Sequence, residues 1–164
     1  MTEAPATPWA EGRRRLAESE SYWLATVSPP GRPHVVAVLG VWFDGRLWFC
    51  TRERSRKGRN LAGAPGCVLS VDSREQPALD LVVHAEAARV TDGSTLNEVA
   101  DGYAAKYGWP VEVRDGALWG DGAPTAGPPP YAVFAATPTT VFAVPGVHGG
   151  DDEGQAAGRF GPTR

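Results

Sequence analysis

Residues 49–61 read FCTRERSRKGRNL, and this stretch says more about the fold than any other part of the chain. An apolar run with aromatic character ends at Thr51, and a short segment with helical character begins at Ser55. Five basic residues and one acid lie between Arg52 and Arg59, although the whole chain has a formal net charge of −3. The sequence therefore predicts a strand that leads into a positively charged helix N-terminus.

This arrangement is typical of a site for an anion such as phosphate. The first amides of a helix have no partner within the helix, and the helix dipole is positive there. Thr51 and Ser55 offer hydroxyl groups to such an anion. Arg56 offers a guanidinium and Lys57 an ammonium, and both groups bind phosphate oxygens. Charge alone leaves two other interpretations open, a solvated basic helix face and a nucleic-acid surface, and the second is disfavoured because no exposed aromatic platform interleaves with the charge.

The chain before this stretch carries strand and turn signals. A short helix is expected from Pro8 to near Ser19, followed by a strand over residues 22–27, which are rich in aromatic and β-branched side chains. Residues 34–43 predict one long, largely apolar second strand. Asp44-Gly45 is a two-residue hairpin signal, so residues 46–50 are expected to return as the third strand of a meander.

The chain after this stretch predicts a short helix over 55–62 and strands over 67–71 and 79–91. Thr95 and Glu98 resemble a capping box for an amphipathic helix that ends before Gly108. Residues 108–130 predict a long loop, and residues 131–137 and 139–144 predict two last strands broken by Pro138. The fold class is therefore α+β and mainly β, an antiparallel barrel with six to seven strands and two to three short helices.

Composition limits the kind of protein that this can be. The 164 residues suit one domain, which we expect over 1–145, followed by a polar tail over 146–164. A net charge of −3 gives no general attraction to nucleic acid or to an acidic membrane. There is no apolar run of the roughly 20 residues that a membrane helix needs and no basic-then-apolar leader, so we expect a cytoplasmic protein. The two cysteines and three histidines show no metal-ligand spacing.

The central stretch resembles the phosphate-binding segment of the pyridoxamine 5′-phosphate oxidase-like superfamily. The resemblance rests on the following residues: Phe49, Cys50, Thr51, Ser55, Arg56, Lys57, Gly58 and Leu61. The pattern Ser-x-Lys-x-x-Asn-Leu, from Ser55 to Leu61, is similar to the branch of that superfamily that uses coenzyme F420, a deazaflavin. The proline-rich stretch over 123–131 and the ending over 160–164 are similar to the same branch. The resemblance implies a split β-barrel of the FMN-binding type.

The resemblance also implies roles for particular residues. The cofactor phosphate would be held by the following residues: Thr51, Ser55, Arg56, Lys57 and Asn60. The tricyclic ring would lie against Val36, Ala37 and Val38, largely through backbone contacts. The groove for the cofactor would be completed by a second subunit, so a homodimer is implied.

The function implied is that of an F420-dependent reductase, which transfers a hydride from reduced deazaflavin to a planar small-molecule acceptor. An FMN-dependent oxidoreductase and a non-catalytic flavin or deazaflavin carrier stay open as alternatives. F420 carries a polyglutamate extension, so the further arginines Arg52, Arg54 and Arg59 favour F420 over FMN. No catalytic residue is assigned, since the titratable candidates His34, His84 and Tyr131 are better explained as packed or surface residues. The true oxidases carry a C-terminal Arg and Trp segment, and since this chain ends at Arg164 without it, we do not expect vitamin B6 oxidation.

Overall fold

The computed structural model describes residues 8–72, 78–122, 127–145 and 158–160. These residues form three helices and ten strands, in the order α1 (Pro8–Glu18), β1 (Tyr22–Val27), β2 (Pro33–Val38), β3 (Gly40–Phe43), β4 (Arg46–Thr51), α2 (Arg56–Gly63), β5 (Gly66–Val71), β6 (Leu79–Val90), α3 (Gly93–Tyr107), β7 (Glu112–Arg114), β8 (Ala117–Trp119), β9 (Ala132–Pro145) and β10 (Gly158–Phe160).

Eight of these strands form one antiparallel sheet, in the order β2-β1-β5-β6-β9-β4-β3, with β10 also paired to β9. The strands β7 and β8 form a separate hairpin. The large sheet curls into a half-barrel, so the predicted α+β, mainly β, split-barrel fold is confirmed. The described residues contain more strands than the predicted six to seven, because one predicted strand is divided, a predicted loop contains a hairpin and Gly158–Phe160 forms β10, while the last two predicted strands are one.

The prediction of one long second strand and a simple meander is wrong. The chain over 34–43 is divided at Leu39 into β2 and β3, and these two strands lie at opposite edges of the sheet. The strand β3 begins directly after this division, at Gly40, where an added Cβ would lie 2.9 Å from the carbonyl oxygen of Trp48. The chain therefore crosses from one edge of the curled sheet to the other, and an unbroken apolar pattern gives no sign of this change of partner.

The crossing is fixed by side chains of α3. The hydroxyl of Tyr103 accepts a hydrogen bond from the backbone N–H of Cys50 at 3.1 Å and donates one to the carbonyl oxygen of Leu39 at 2.9 Å. The Nζ of Lys106 donates to the carbonyl oxygen of Gly40 at 2.9 Å. These contacts join α3 to β4 and to the β2–β3 junction, at the point where the ladder between β3 and β4 ends.

The predicted break at Pro138 is also wrong, because β9 runs through this proline without interruption. Pro138 lies opposite Ala85 at a register shift in β6 between His84 and Ala85. Such an irregularity is a place where a sheet tolerates a residue that has no N–H. The last two predicted strands are therefore one strand, which pairs with both β6 and β4.

Two local predictions around α3 need correction. The helix is capped by Asp92, whose carboxylate accepts from the N–H of Thr95 at 2.9 Å, and not by the predicted capping box. The predicted loop over 108–130 contains the β7–β8 hairpin, whose turn has Asp115 and Gly116 at φ values of 51° and 69°. Asp and Gly tolerate this left-handed conformation, which is the usual turn for a two-residue hairpin.

Two clusters of buried side chains surround β4. Leu47 and Phe49 belong to the cluster inside the curled sheet, whereas Trp48 belongs to the cluster between the sheet and α3. Both faces of this strand are thus fixed by packing, and its C-terminal residue, Thr51, is held at a defined place. This residue is where the predicted anion site begins.

The division into a domain over 1–145 and a tail over 146–164 stays a prediction. The backbone of Gly158–Phe160 pairs with β9, and the rest of the predicted tail lies outside the described residues. In the described part of the chain, no helix has both the length and the apolar character needed to span a membrane.

Candidate anion-binding site

The turn between β4 and α2 is organised by two hydroxyl groups. Ser55 caps α2 from an extended conformation, and its Oγ accepts from the N–H of Gly58 at 3.1 Å. The Oγ1 of Thr51 lies 3.0 Å from the same Oγ, within hydrogen-bond distance. Both predicted hydroxyl residues therefore meet at the helix N-terminus, where the cap leaves the amides of Arg56 and Lys57 without a partner in the helix.

Gly58 lets the turn pack directly on the first turn of α2. An added Cβ would lie 2.6 Å from the carbonyl oxygens of both Arg52 and Glu53, far inside normal contact distance. The close approach of these two backbone segments explains why a glycine occupies this position.

The cationic side chains around this turn differ in burial. Arg56 is exposed, whereas Lys57 is half-buried. Burial lowers the pKa of Lys57, the nearby Cys50 opposes this change, and Arg52 adds to it. Glu53 forms an ion pair with Arg89 on β6. A bound anion would favour the charged form of Lys57, so this site gains electrostatically from a negative ligand.

Asn60 lies on the buried side of α2, and its side chain is directed into the protein. Its Nδ2 donates to the Oγ1 of Thr26 at 3.0 Å, and the two residues are 3% and 1% exposed. This bond ties α2 to β1. The structure therefore places Asn60 where it positions the helix, rather than beside Arg56 and Lys57 on its outer side.

The three residues predicted to face a ring are divided between the two sides of β2. Val38 is buried and Val36 packs against the core inside the sheet, whereas Ala37 is exposed on the other face. Among the described residues, β2 is an edge strand that pairs with β1 alone, so the backbone groups on its other side are not used within the sheet. A ring placed here would therefore meet the unpaired backbone of β2, because the three side chains do not share one face.

His34 connects this edge to the helix. It is half-buried near the start of β2, and its Nδ1 is buried without a hydrogen-bond partner among the described residues. Burial lowers the pKa of His34, and the charges of Arg56 and Lys57 lower it further. His34 lies opposite Thr26, which accepts the amide of Asn60 from α2, so the start of β2 lies beside this helix. We call the site formed by Thr51, Ser55, Arg56 and Lys57 the cradle.

A cavity of about 350 Å³ lies on the side of the turn that carries Arg52 and Arg54. Arg89, Trp119 and the prolines at 128–130 also line it. The guanidinium of Arg52 packs against Gly127, since a Cβ there would lie 3.1 Å from the Cζ of Arg52. The sequence pattern shows these arginines but not the cavity, because the other wall of the cavity is formed by the β7–β8 hairpin and the loop before β9.

The curled sheet defines this chain as a split β-barrel protein, and the cationic cradle is a candidate anion site at the junction of a strand and a helix. Residues 9–145 match the family described as Pyridoxamine 5′-phosphate oxidase, and the chain belongs to that family. A comparison with curated protein sequences returned no match.

Several solved structures share the fold. A heme binding protein from Mycobacterium smegmatis has a TM-score of 0.68 and 19% identity, with 97% of this chain and 60% of that chain covered, so this chain spans three fifths of that protein. A protein described as an F420 reductase has a TM-score of 0.56 and 24% identity, with coverages of 78% and 94%. A FAD-binding protein from Mesorhizobium loti has a TM-score of 0.63 and 16% identity, with coverages of 82% and 90%.

The match over residues 9–145 confirms the superfamily that the sequence resembles. At such identities the solved structures show the fold alone, and proteins named for three different cofactors share it. The choice of ligand therefore has to be argued from this chain's own residues. Within the described ranges, no group of three or more His, Cys, Asp or Glu residues is arranged to hold a metal ion.

Proposed function

We propose that the protein is an F420-dependent oxidoreductase that reduces a planar small-molecule acceptor. The observation that carries the choice of F420 is the cavity beside the cradle. Arg52 and Arg54 belong to the same turn as the cradle and line that cavity, which is also lined by Arg89, by its ion-pair partner Glu53 and by Asp115. FMN ends at its phosphate, whereas F420 continues beyond the phosphate into glutamate residues, so a cavity lined by an excess of arginine next to a phosphate site suits F420.

The chain's own residues would bind and orient this cofactor. Arg56 and Lys57 would neutralise the phosphate, and the hydroxyls of Thr51 and Ser55 would fix the turn that presents them. Asn60 would act as a positioning residue through Thr26. Arg59 is exposed and does not line the cavity, so we propose that Arg52 and Arg54 bind the polyglutamate chain. When bound, the deazaflavin supplies the hydride, and the protein supplies orientation and electrostatics.

The proposal is tested by titrating the protein with F420 and with FMN and following cofactor fluorescence. In Lys57→Ala, affinity for F420 should fall about 10- to 100-fold, since a charge-assisted bond to the phosphate is lost. Arg54→Ala should weaken F420 and leave FMN unchanged. Arg46→Ala, on the β3–β4 hairpin, is the matched control and should change neither.

The other functions predict different results. The cradle by itself suits FMN equally well, so tight FMN binding that Lys57→Ala weakens would favour the FMN oxidoreductase. Tight F420 binding without turnover of reduced F420 by a panel of activated alkenes would favour a carrier. A protein that binds hemin, and neither F420 nor FMN, would contradict the proposal.

A homodimer is the second part of the proposal. The outer face of β1 and β2 carries Trp23 and Val35, which are 54% and 57% exposed, and Val27, which is 44% exposed. Trp23 lies opposite Ala37 in the sheet, so these side chains form one apolar surface next to the open edge of β2. Exposed apolar surfaces of this kind mark association sites, and a second copy here would cover the edge where the ring is proposed to lie.

We expect Trp23→Asp to convert the dimer to a monomer and to weaken cofactor binding at the same time, because a buried unpaired charge would oppose association. Light scattering after gel filtration measures the mass, and fluorescence titration measures the affinity. Arg46→Asp, away from this face, should leave both unchanged. A wild-type protein that is monomeric at tens of micromolar would refute this part of the proposal.

A further inference from the structure

His34 lies where the β1–β2 hairpin meets α2. It is directly opposite Thr26 in the antiparallel pair, so both side chains are on the same face of the sheet. Thr26 accepts the amide of Asn60 from α2 on that face. The imidazole is therefore packed beside the helix that carries the cradle, and Arg56 and Lys57 of that helix are close enough to affect its titration.

The two ring nitrogens of His34 have different surroundings. Nδ1 is buried and has no partner among the described residues, whereas the half-exposed ring leaves Nε2 on its outer side. A neutral imidazole carries its proton on only one nitrogen. The proton is better placed on Nε2, because an N–H at Nδ1 would be buried without an acceptor.

The charged form of His34 is disfavoured by the same surroundings. A second proton would have to sit on Nδ1, where no described residue accepts it, and the ring would become cationic near Arg56 and Lys57. Thr26, the residue facing it from β1, carries no charge to offset this. Burial and the two cations thus lower the pKa of His34 and favour the neutral ring, in which Nε2 is the better placed donor.

We propose that His34 is a binding residue of the cradle, which donates a hydrogen bond from Nε2–H to an oxygen of the ligand's phosphate. Arg56 and Lys57 neutralise the charge of the phosphate, and the imidazole adds a directional contact from the opposite wall, the edge strand β2. This inference rests on the proposed function, because it requires a phosphate in the cradle. It goes beyond that function by adding a contact from the strand that is proposed to lie along the ring.

The test compares His34→Leu with His34→Gln, using FMN and F420 as probes. Leucine removes the donor, and affinity should fall about tenfold. Glutamine places an amide N–H near the position of Nε2, so its affinity should stay within about threefold of wild type. Equal affinities for wild type and His34→Leu would overturn the proposal, and so would an equal loss in both variants, which would indicate a packing role.

A second readout is the tautomer itself. Nitrogen NMR of the histidine-labelled protein should show a protonated Nε2 and an unprotonated Nδ1 in the free protein, with an Nε2 signal that moves when F420 is added. An imidazolium, or a proton on Nδ1, would overturn the inference. Lys57→Ala distinguishes a failure of the proposed function from a failure of the role proposed for His34. If it leaves binding unchanged, the proposed function fails, whereas if it weakens binding and His34→Leu does not, only the role of His34 fails.

Discussion

Gly58→Ala is expected to destabilise the protein by about 3 kcal/mol and to remove cofactor binding. The new methyl group would lie 2.6 Å from two backbone carbonyl oxygens, those of Arg52 and Glu53. Neither oxygen belongs to a flexible side chain, so the turn or the helix has to move as a unit. Either movement separates Ser55 from the N–H of Gly58 and displaces Arg56 and Lys57. Stability and binding therefore fall together.

Gly63→Ala is the matched control, because it adds the same methyl group to the same helix. The nearest atom to a Cβ at this exposed position is the Cγ of Pro29 at 3.9 Å, an ordinary contact. Alanine is favoured over glycine in a helix by up to about 1 kcal/mol, so this variant should be as stable as wild type or more stable. Urea unfolding and F420 titration of both variants measure the effects. A Gly58→Ala protein that equals Gly63→Ala in stability and binding would show that the turn does not need this close approach.

The local features of the fold are readable from sequence because short segments determine them. The hairpin at Asp44-Gly45 is confirmed, with both residues at positive φ, 51° and 67°. The helix predicted over 55–62 is found at Arg56–Gly63, with Ser55 as its cap. In these places, the residue types needed for the conformation lie within a few positions of each other.

The arrangement of the site depends on long-range pairing, which the sequence pattern does not contain. Val36, Ala37 and Val38 look alike in a row of apolar residues, and only the register with β1 shows that Ala37 alone faces outward. Asn60 is a polar residue in a basic segment, and only the approach of α2 to β1 shows that its amide is used by Thr26. For His34, the sequence shows a titratable residue at a strand edge. The packed structure is needed to show that its Nδ1 is buried without a partner among the described residues.

The role of Tyr103 is the part of the fold least visible in the sequence, because its hydroxyl contacts residues 53 and 64 positions away. This hydroxyl binds the N–H of Cys50 and the carbonyl oxygen of Leu39, in a residue that is 1% exposed. Cys50 belongs to β4, which leads into the cradle, and Leu39 lies directly after β2. The amphipathic pattern of α3 predicts that Tyr103 is buried, but it does not predict that the hydroxyl is needed.

Tyr103→Phe is accordingly expected to cost about 2 kcal/mol in the free energy of unfolding, because it leaves a part-buried N–H and a part-buried carbonyl without their hydroxyl partner. Tyr131→Phe is the matched control. Tyr131 is also 1% exposed, but its hydroxyl donates only to the carbonyl oxygen of Gly127, an exposed residue that water can reach, so its loss should cost less than about 1 kcal/mol. Chemical denaturation measures both values, and hydrogen exchange at the amide of Cys50 reports the hydrogen bond to Tyr103 directly. Exchange there should accelerate in Tyr103→Phe and stay unchanged in Tyr131→Phe. Equal stabilities and unchanged exchange would mean that β4 and the β2–β3 junction are held by packing alone, with α3 serving as a hydrophobic cover.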